Sequence, residues 1–160
     1  MTRRVVSRDQ AVRACARWQR TGQRVVLTNG CFDLLHAGHV RYLQQASTLG
    51  RLIVAVNSDA STRRLKGPSR PIVPEDERSE LIAALRCVDL VTIFDEPTAE
   101  EVLEAVRPTV YVKGADYGQD VRSLPEASVA ERIGARVELI ALTEGRSTTA
   151  LIDTIRRRIS

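Results

Sequence analysis

His36 and His39 are the only histidines of this 160-residue chain, and both fall in one segment, Thr28-Asn-Gly-Cys-Phe-Asp-Leu-Leu-His-Ala-Gly-His39. A spacing of three puts them on one side of the first turn of a helix starting close to Ala37. Such a helix N-terminus offers free N–H groups and a positive dipole end to a phosphate. Both imidazoles donate hydrogen bonds and titrate near neutral pH. Gly38 between them lets a flat base or ribose approach the backbone, and Gly30 permits a tight turn ahead of them. The dinucleotide fingerprint G-x-G-x-x-G is absent. A metal site would need a third ligand, for which Asp33 or Cys31 could be invoked, and the spacing is not that of a strong site. The plainer alternative is that the histidines only cap a helix. Their concentration in one strand-to-helix turn favours phosphate.

A second chemical signal is a bias in cation type. Of 24 basic residues 22 are arginine, and only Lys66 and Lys113 are lysine. Where lysine survives, a compact point charge is a reason for it, and chance is the alternative.

The elements that must position these residues follow from the hydropathy pattern. Apolar runs at 24–28, 52–56, 90–94, 110–112 and 137–141 read as five strands. Helical stretches fall near 9–20, 38–49, 75–86, 98–106, 124–133 and 148–159. Alternation of this kind predicts a parallel sheet with helices on both faces, an α/β, Rossmann-like doubly wound domain. Ligands bind beyond the carboxyl ends of such strands, so the loops after Thr28, Val56, Val112 and Leu142 are the expected site. Lys66 ends the loop after the second strand, where it reaches a bound phosphate or stands as a surface charge. Arg78 sits in the first turn of a helix beside Glu75, Asp76 and Glu77, where spacing allows a local ion pair equally well. Lys113-Gly114-Ala115-Asp116 follows the fourth strand: Gly114 admits a base, and Asp116 accepts from ribose or base donors. An ordinary turn would have the same composition. Ser147 or Thr148 is a normal N-cap for the last helix. It also makes a second helix N-terminus at the same edge, with Arg146 either adding charge or pointing outward.

Length and composition bound the function. At 43% hydrophobic and 28% charged, the chain reads as one domain, 1–160, with a basic helical segment at 1–24 and a core at 25–160. No apolar run approaches a membrane span, and no signal-peptide stretch opens the chain. Three cysteines, Cys15, Cys31 and Cys87, without C-x-x-C spacing point to a reducing cytoplasm. Residues 1–24 hold seven arginines against Asp9 alone, so the net charge of +4 is concentrated there. We read this as a solvated helix face rather than a polyanion stripe. At 4% aromatic the chain lacks a stacking platform for nucleic acid.

The blocks around these residues resemble a family. T-N-G-C-F-D-L-L-H-A-G-H-V-R-Y-L, V-N-S-D-A-S-T-R-R-L-K-G (56–67), R-P-I (70–72), E-R (77–78), V-K-G-A-D-Y (112–117) and E-G-R-S-T-T (144–149) look like the cytidylyltransferase-like nucleotidyltransferases. They resemble most those that adenylylate a D-glycero-β-D-manno-heptose 1-phosphate. The likeness covers about 25–157. It implies catalysis by His36, His39 and Lys66. Nucleotide binding is implied for Asn29, Gly30, Cys31, Phe32, Gly38, His39, Lys113, Gly114, Asp116, Arg146, Ser147 and Thr148. Asp33, Lys66 and Arg78 are implied at the substrate phosphate, Asp33 orienting the acceptor or the histidines. Ala115 stands where a second glycine is common, and Arg146 where cysteine or isoleucine is common. ATP with Mg²⁺ and a sugar 1-phosphate are the implied cofactor and substrates, with no metal held by protein ligands alone. A homodimer is implied, as are a separate sugar kinase and phosphatase. In many bacteria this activity is fused to a sugar kinase domain, for which 160 residues leave no room. Three rivals are a cytidylyltransferase acting on glycerol 3-phosphate, a silent nucleotide-binding module, and an RNA-directed protein. The last is disfavoured by the missing anticodon-reading domain.

Overall fold

The computed structural model describes residues 3–115 and 118–160. Five parallel strands, β1 (Val25–Gly30), β2 (Arg51–Asn57), β3 (Leu90–Phe94), β4 (Val110–Ala115) and β5 (Arg136–Ala141), form one sheet in the order β3-β2-β1-β4-β5. The order reverses between β1 and β4, and at such a switch point the carboxyl ends of two strands open a crevice. The doubly wound α/β architecture expected from the sequence is the one observed.

Among the described residues seven α-helices accompany the sheet: α1 (Arg8–Arg20), α2 (Ala37–Ser47), α3 (Asp59–Lys66), α4 (Glu75–Ala84), α5 (Glu100–Val106), α6 (Ala127–Ile133) and α7 (Thr148–Ile159). Successive strand residues face opposite sides, so each strand feeds two cores. On one side Leu27, Ile53, Ala55 and Tyr111 pack with Ala11 and Cys15 of α1, Leu103 of α5 and Ala130 of α6. On the other, Val26, Val54, Val56 and Val112 pack with Leu43 of α2 and Ile82 of α4.

The basic N-terminal segment is tied to this body. Ser7 caps α1 by a reciprocal exchange with Gln10, and Ala11 and Cys15 reach the core. Arg4 donates to the Val88 carbonyl at 3.0 Å, and Arg8 pairs with Glu96. Arg13, Arg17 and Arg20 face solvent.

One expectation is corrected. The stretch after β2 is not a loop ending at Lys66 but the helix α3, capped by the Ser58 hydroxyl accepting from Ser61 N. Lys66 is its last residue, and Gly67, at φ +101°, turns the chain away. No helix among the described residues is long and apolar enough to cross a membrane.

Candidate active site

β1 delivers Asn29 and Gly30 to the switch point. Gly30 was expected to make a tight turn. Its role is instead to leave room, since a Cβ there would meet the Phe32 ring at 2.9 Å. The turn is made by Phe32 itself, buried at φ +48°. A bulky residue held in the left-handed region stores strain, a feature that clusters at ligand clamps. The Phe32 ring lies 5.5 Å from that of His39.

α2 then begins at Ala37, with His36 as its extended N-cap residue. The two imidazoles stack with centroids 3.8 Å apart. His36 N–H donates to His39 Nδ1 at 3.3 Å, which leaves the proton of a neutral His39 on Nε2. Both rings are held below their ordinary value. Burial, and then the His36 charge, push His39 down to about 4. Burial, and then the Arg146 charge, lower His36. His36 Nδ1 is buried with no partner among the described residues. A Cβ on Gly38 would strike this ring at 2.8 Å, so Gly38 makes space for His36 as well as for a ligand.

A cavity of about 430 Å³ opens here, lined from every strand-end loop named in advance. It takes Asn29, Gly30, Cys31, Phe32 and Asp33 from the end of β1 and the loop beyond. His36, Gly38 and His39 come from the start of α2, Lys66 from α3, and Lys113 and Gly114 from β4. Arg146, Ser147 and Thr148 complete it. Ser147 caps α7 by accepting from Ala150 N, and Thr148 Oγ1 donates to the Leu34 carbonyl beside α2. Two helix N-termini thus reach one cavity, which also holds the cations Lys66, Arg70, Lys113 and Arg146. This arrangement suits a polyanion. Asp116 lies outside the described residues.

Two expected phosphate contacts act elsewhere. Arg78 is 0% exposed beneath the site. Its guanidinium donates to the carbonyls of Val73, Cys31 and Asn57 and pairs with Asp59 at 2.7 Å. It welds the ends of β1 and β2 to α4 with four of its five N–H groups, and its full burial keeps it from substrate. Arg78→Lys, which cannot serve four acceptors from one ammonium, is expected to cost about 2 kcal/mol of stability. A denaturant midpoint equal to wild type would contradict this.

Asp33, 1% exposed, accepts from Arg70 Nε at 2.6 Å and from Ile72 and Val73 N–H at 2.9 Å. Burial raises its pKa, but the Val73 and Ile72 N–H bonds and Arg70 outweigh that and hold it below the ordinary value. Asp33 therefore anchors the 70–73 loop rather than the histidines. Through it Arg70 becomes a cavity cation that spacing alone had not singled out. Tyr42 was also missed. Its hydroxyl lies 2.6 Å from Thr28 Oγ1 under the cavity floor, and burial pushes it up to about 12.

Residues 27–153, most of the chain, match the cytidylyltransferase-like family. The chain belongs to this family. Among curated relatives, the bifunctional protein HldE of Syntrophotalea carbinolica is 54% identical over 138 residues, covering 86% of this chain and 28% of that protein. HldE of Koribacter versatilis is 50% identical over 151 residues, covering 94% and 31%. The chain thus spans under a third of the length of these relatives. A lipopolysaccharide core biosynthesis protein of Thermoplasma volcanium superposes with a TM-score of 0.62 at 32% identity, over 76% of this chain and 98% of that one. The pantoate-beta-alanine ligase of Francisella tularensis, at 13% identity and a TM-score of 0.63, shares the fold with this cytidylyltransferase-like domain. The resemblance read from the histidine block and its companions is borne out.

Proposed function

We propose that this chain transfers the adenylyl group of ATP to a sugar 1-phosphate, D-glycero-D-manno-heptose 1-phosphate, giving ADP-heptose and pyrophosphate. One observation carries the reading: the stacked histidine pair, two helix N-termini and four cations all line one cavity at the β1/β4 switch point. In the reaction an oxygen of the sugar phosphate attacks the α-phosphorus of ATP, the α–β bridging bond breaks in line, and pyrophosphate leaves. The attacking oxygen is already anionic, so no general base is needed. Catalysis is positioning and charge neutralisation. His39 Nε2–H and His36 donate to the α-phosphate oxygens. Lys66 neutralises the adjoining phosphates, and the α7 N-terminus with Arg146 receives the departing pyrophosphate.

Mg²⁺ enters with ATP as part of the substrate. The donor set fits that role, because among the described residues Asp33 is the one carboxylate lining the cavity and its oxygens are already engaged. Among the described residues no group of three His, Cys, Asp or Glu is arranged around a metal. On this reading the ion would be held largely by phosphates and water.

Kinase and phosphatase reactions supply the acceptor, and the three free cysteines suit a reducing cytoplasm. The dimer implied by the resemblance is checked by mass at micromolar concentration, where a monomer refutes it. The deciding experiment is pyrophosphate release from ATP and CTP against heptose 1-phosphates, other sugar 1-phosphates and glycerol 3-phosphate. Turnover only with CTP and glycerol 3-phosphate overturns the reading in favour of the cytidylyl enzyme. ATP binding with no turnover on any acceptor leaves a binding module.

A further inference from the structure

Lys113, one of the chain's two lysines, lines the cavity from β4 with its side chain 27% exposed. Its partner lies on the far side, away from solvent. Glu126, 1% exposed, sits at the N-cap of α6, and its Oε1 accepts from Lys113 Nζ at 3.2 Å and from Ala99 N–H at 3.2 Å. Its Oε2 has no hydrogen-bond partner among the described residues. A carboxylate so placed is a poor way to stabilise a fold, because an apolar residue of similar volume does as well or better. What a buried ion pair does supply is a fixed position for the partner that faces outward.

The surroundings fit that role. Lys113 and Tyr111 share one face of β4, and Tyr111 is in register with Leu27 of β1, two residues before Asn29. The Tyr111 hydroxyl donates to Asn29 Oδ1 at 2.6 Å, so the neighbouring cavity residue is also turned by a buried partner. Burial, and then the nearby Glu126 charge, raise the Tyr111 phenol far above its ordinary value and keep it a donor.

We infer that Glu126 is a positioning residue, which acts on the nucleotide through Lys113 without touching it. The inference rests on the cavity being the nucleotide site. Freed of Glu126, the flexible lysine spreads over many rotamers and its ammonium turns toward solvent. The loss falls on nucleotide affinity, not on the transfer step.

A double-variant cycle on ATP affinity, measured by calorimetry without acceptor, tests this. Lys113→Met is expected to weaken ATP binding about tenfold, the size of one charge-assisted contact, and Glu126→Gln nearly as much. Glu126→Gln in the Lys113→Met background is expected to add nothing. In turnover, Glu126→Gln raises the KM for ATP and leaves kcat within about twofold, and Glu126→Asp recovers part of the affinity because the charge is kept. A merely structural acid would lower stability and ATP affinity equally in both backgrounds. Additive effects, or ATP affinity unchanged in Glu126→Gln, overturn the inference while leaving the site reading intact. Absence of ATP binding in the wild type defeats both. If Glu126→Gln does not fold, Glu126→Asp carries the same cycle.

Discussion

His39→Ala is expected to lower kcat by on the order of 10²–10³, the loss seen when one preorganised donor to a developing anion is removed. The chain spends structure on this one ring. His39 stacks on His36, touches the strained Phe32, and receives the His36 N–H on Nδ1, so its Nε2–H is the donor left for a ligand. Its pKa of about 4 means that it is neutral at pH 7 before ligand arrives. A neutral donor avoids a buried charge in the empty site, and a bound phosphate then draws the proton affinity upward. His36→Ala should behave similarly.

The shift also fixes the sign of a stability effect. The folded value lies below the unfolded value of about 6.5, so the unfolded chain binds more protons between the two. Stability contributed by neutral His39 is complete above about pH 6.5 and is lost as pH falls toward 4. The alanine variant should show a flatter acid limb in that window, alongside its kinetic loss. Near-wild-type turnover in this variant would remove His39 from the mechanism.

What the sequence made legible, and what it hid, divides along physical lines. The inner strands are buried on both faces and read as apolar runs, the edge strand β5 is only partly buried yet keeps an apolar run, and all five were readable, as were the helices with an apolar stripe. β4 was read three residues short because Lys113 and Gly114 break its apolar run, although pairing with β5 carries the strand to Ala115. α3 was missed because periodicity cannot register a helix whose buried residues are Ser61 and Thr62. The Ser58 cap was the available signal.

The cavity was legible because its residues follow strand ends in a doubly wound sheet. Arg78 was not, since an arginine among three acids reads as an exposed pair, and only the tertiary fold shows it sealed under β1 and β2. Glu126 had no signal at all. Its meaning comes from Lys113, thirteen positions away, which it meets across the β4–α6 connection.

The second large effect is expected from the most conservative change. Lys66→Arg should keep thermal stability and substantial ATP binding while losing on the order of 10²-fold in turnover, as for a reacting group displaced by about 1 Å. Lys66 is exposed at the last turn of α3, where a cation of either kind complements the helix dipole. Arginine is as good a helix former, and the chain places it at Arg63 and Arg64 in the same turn. Everything local therefore permits arginine, and 22 of the 24 cations are arginine. Exposed charges contribute little, so a lysine that served only the surface would be replaced without consequence. The reason left is reach. Lys66 lies on the cavity wall, and among the described residues it forms no ion pair, in contrast to Lys113 with Glu126 and Arg70 with Asp33. A compact ammonium on a flexible stem follows the phosphates as charge moves from the α-phosphorus to pyrophosphate, whereas a planar guanidinium brings its donors in a fixed fork. Steady-state kcat and KM with a melting temperature decide the matter. Unchanged kinetics would show that the lysine at the end of α3 is incidental and that the phosphate clamp must be sought in Arg70 and Arg146.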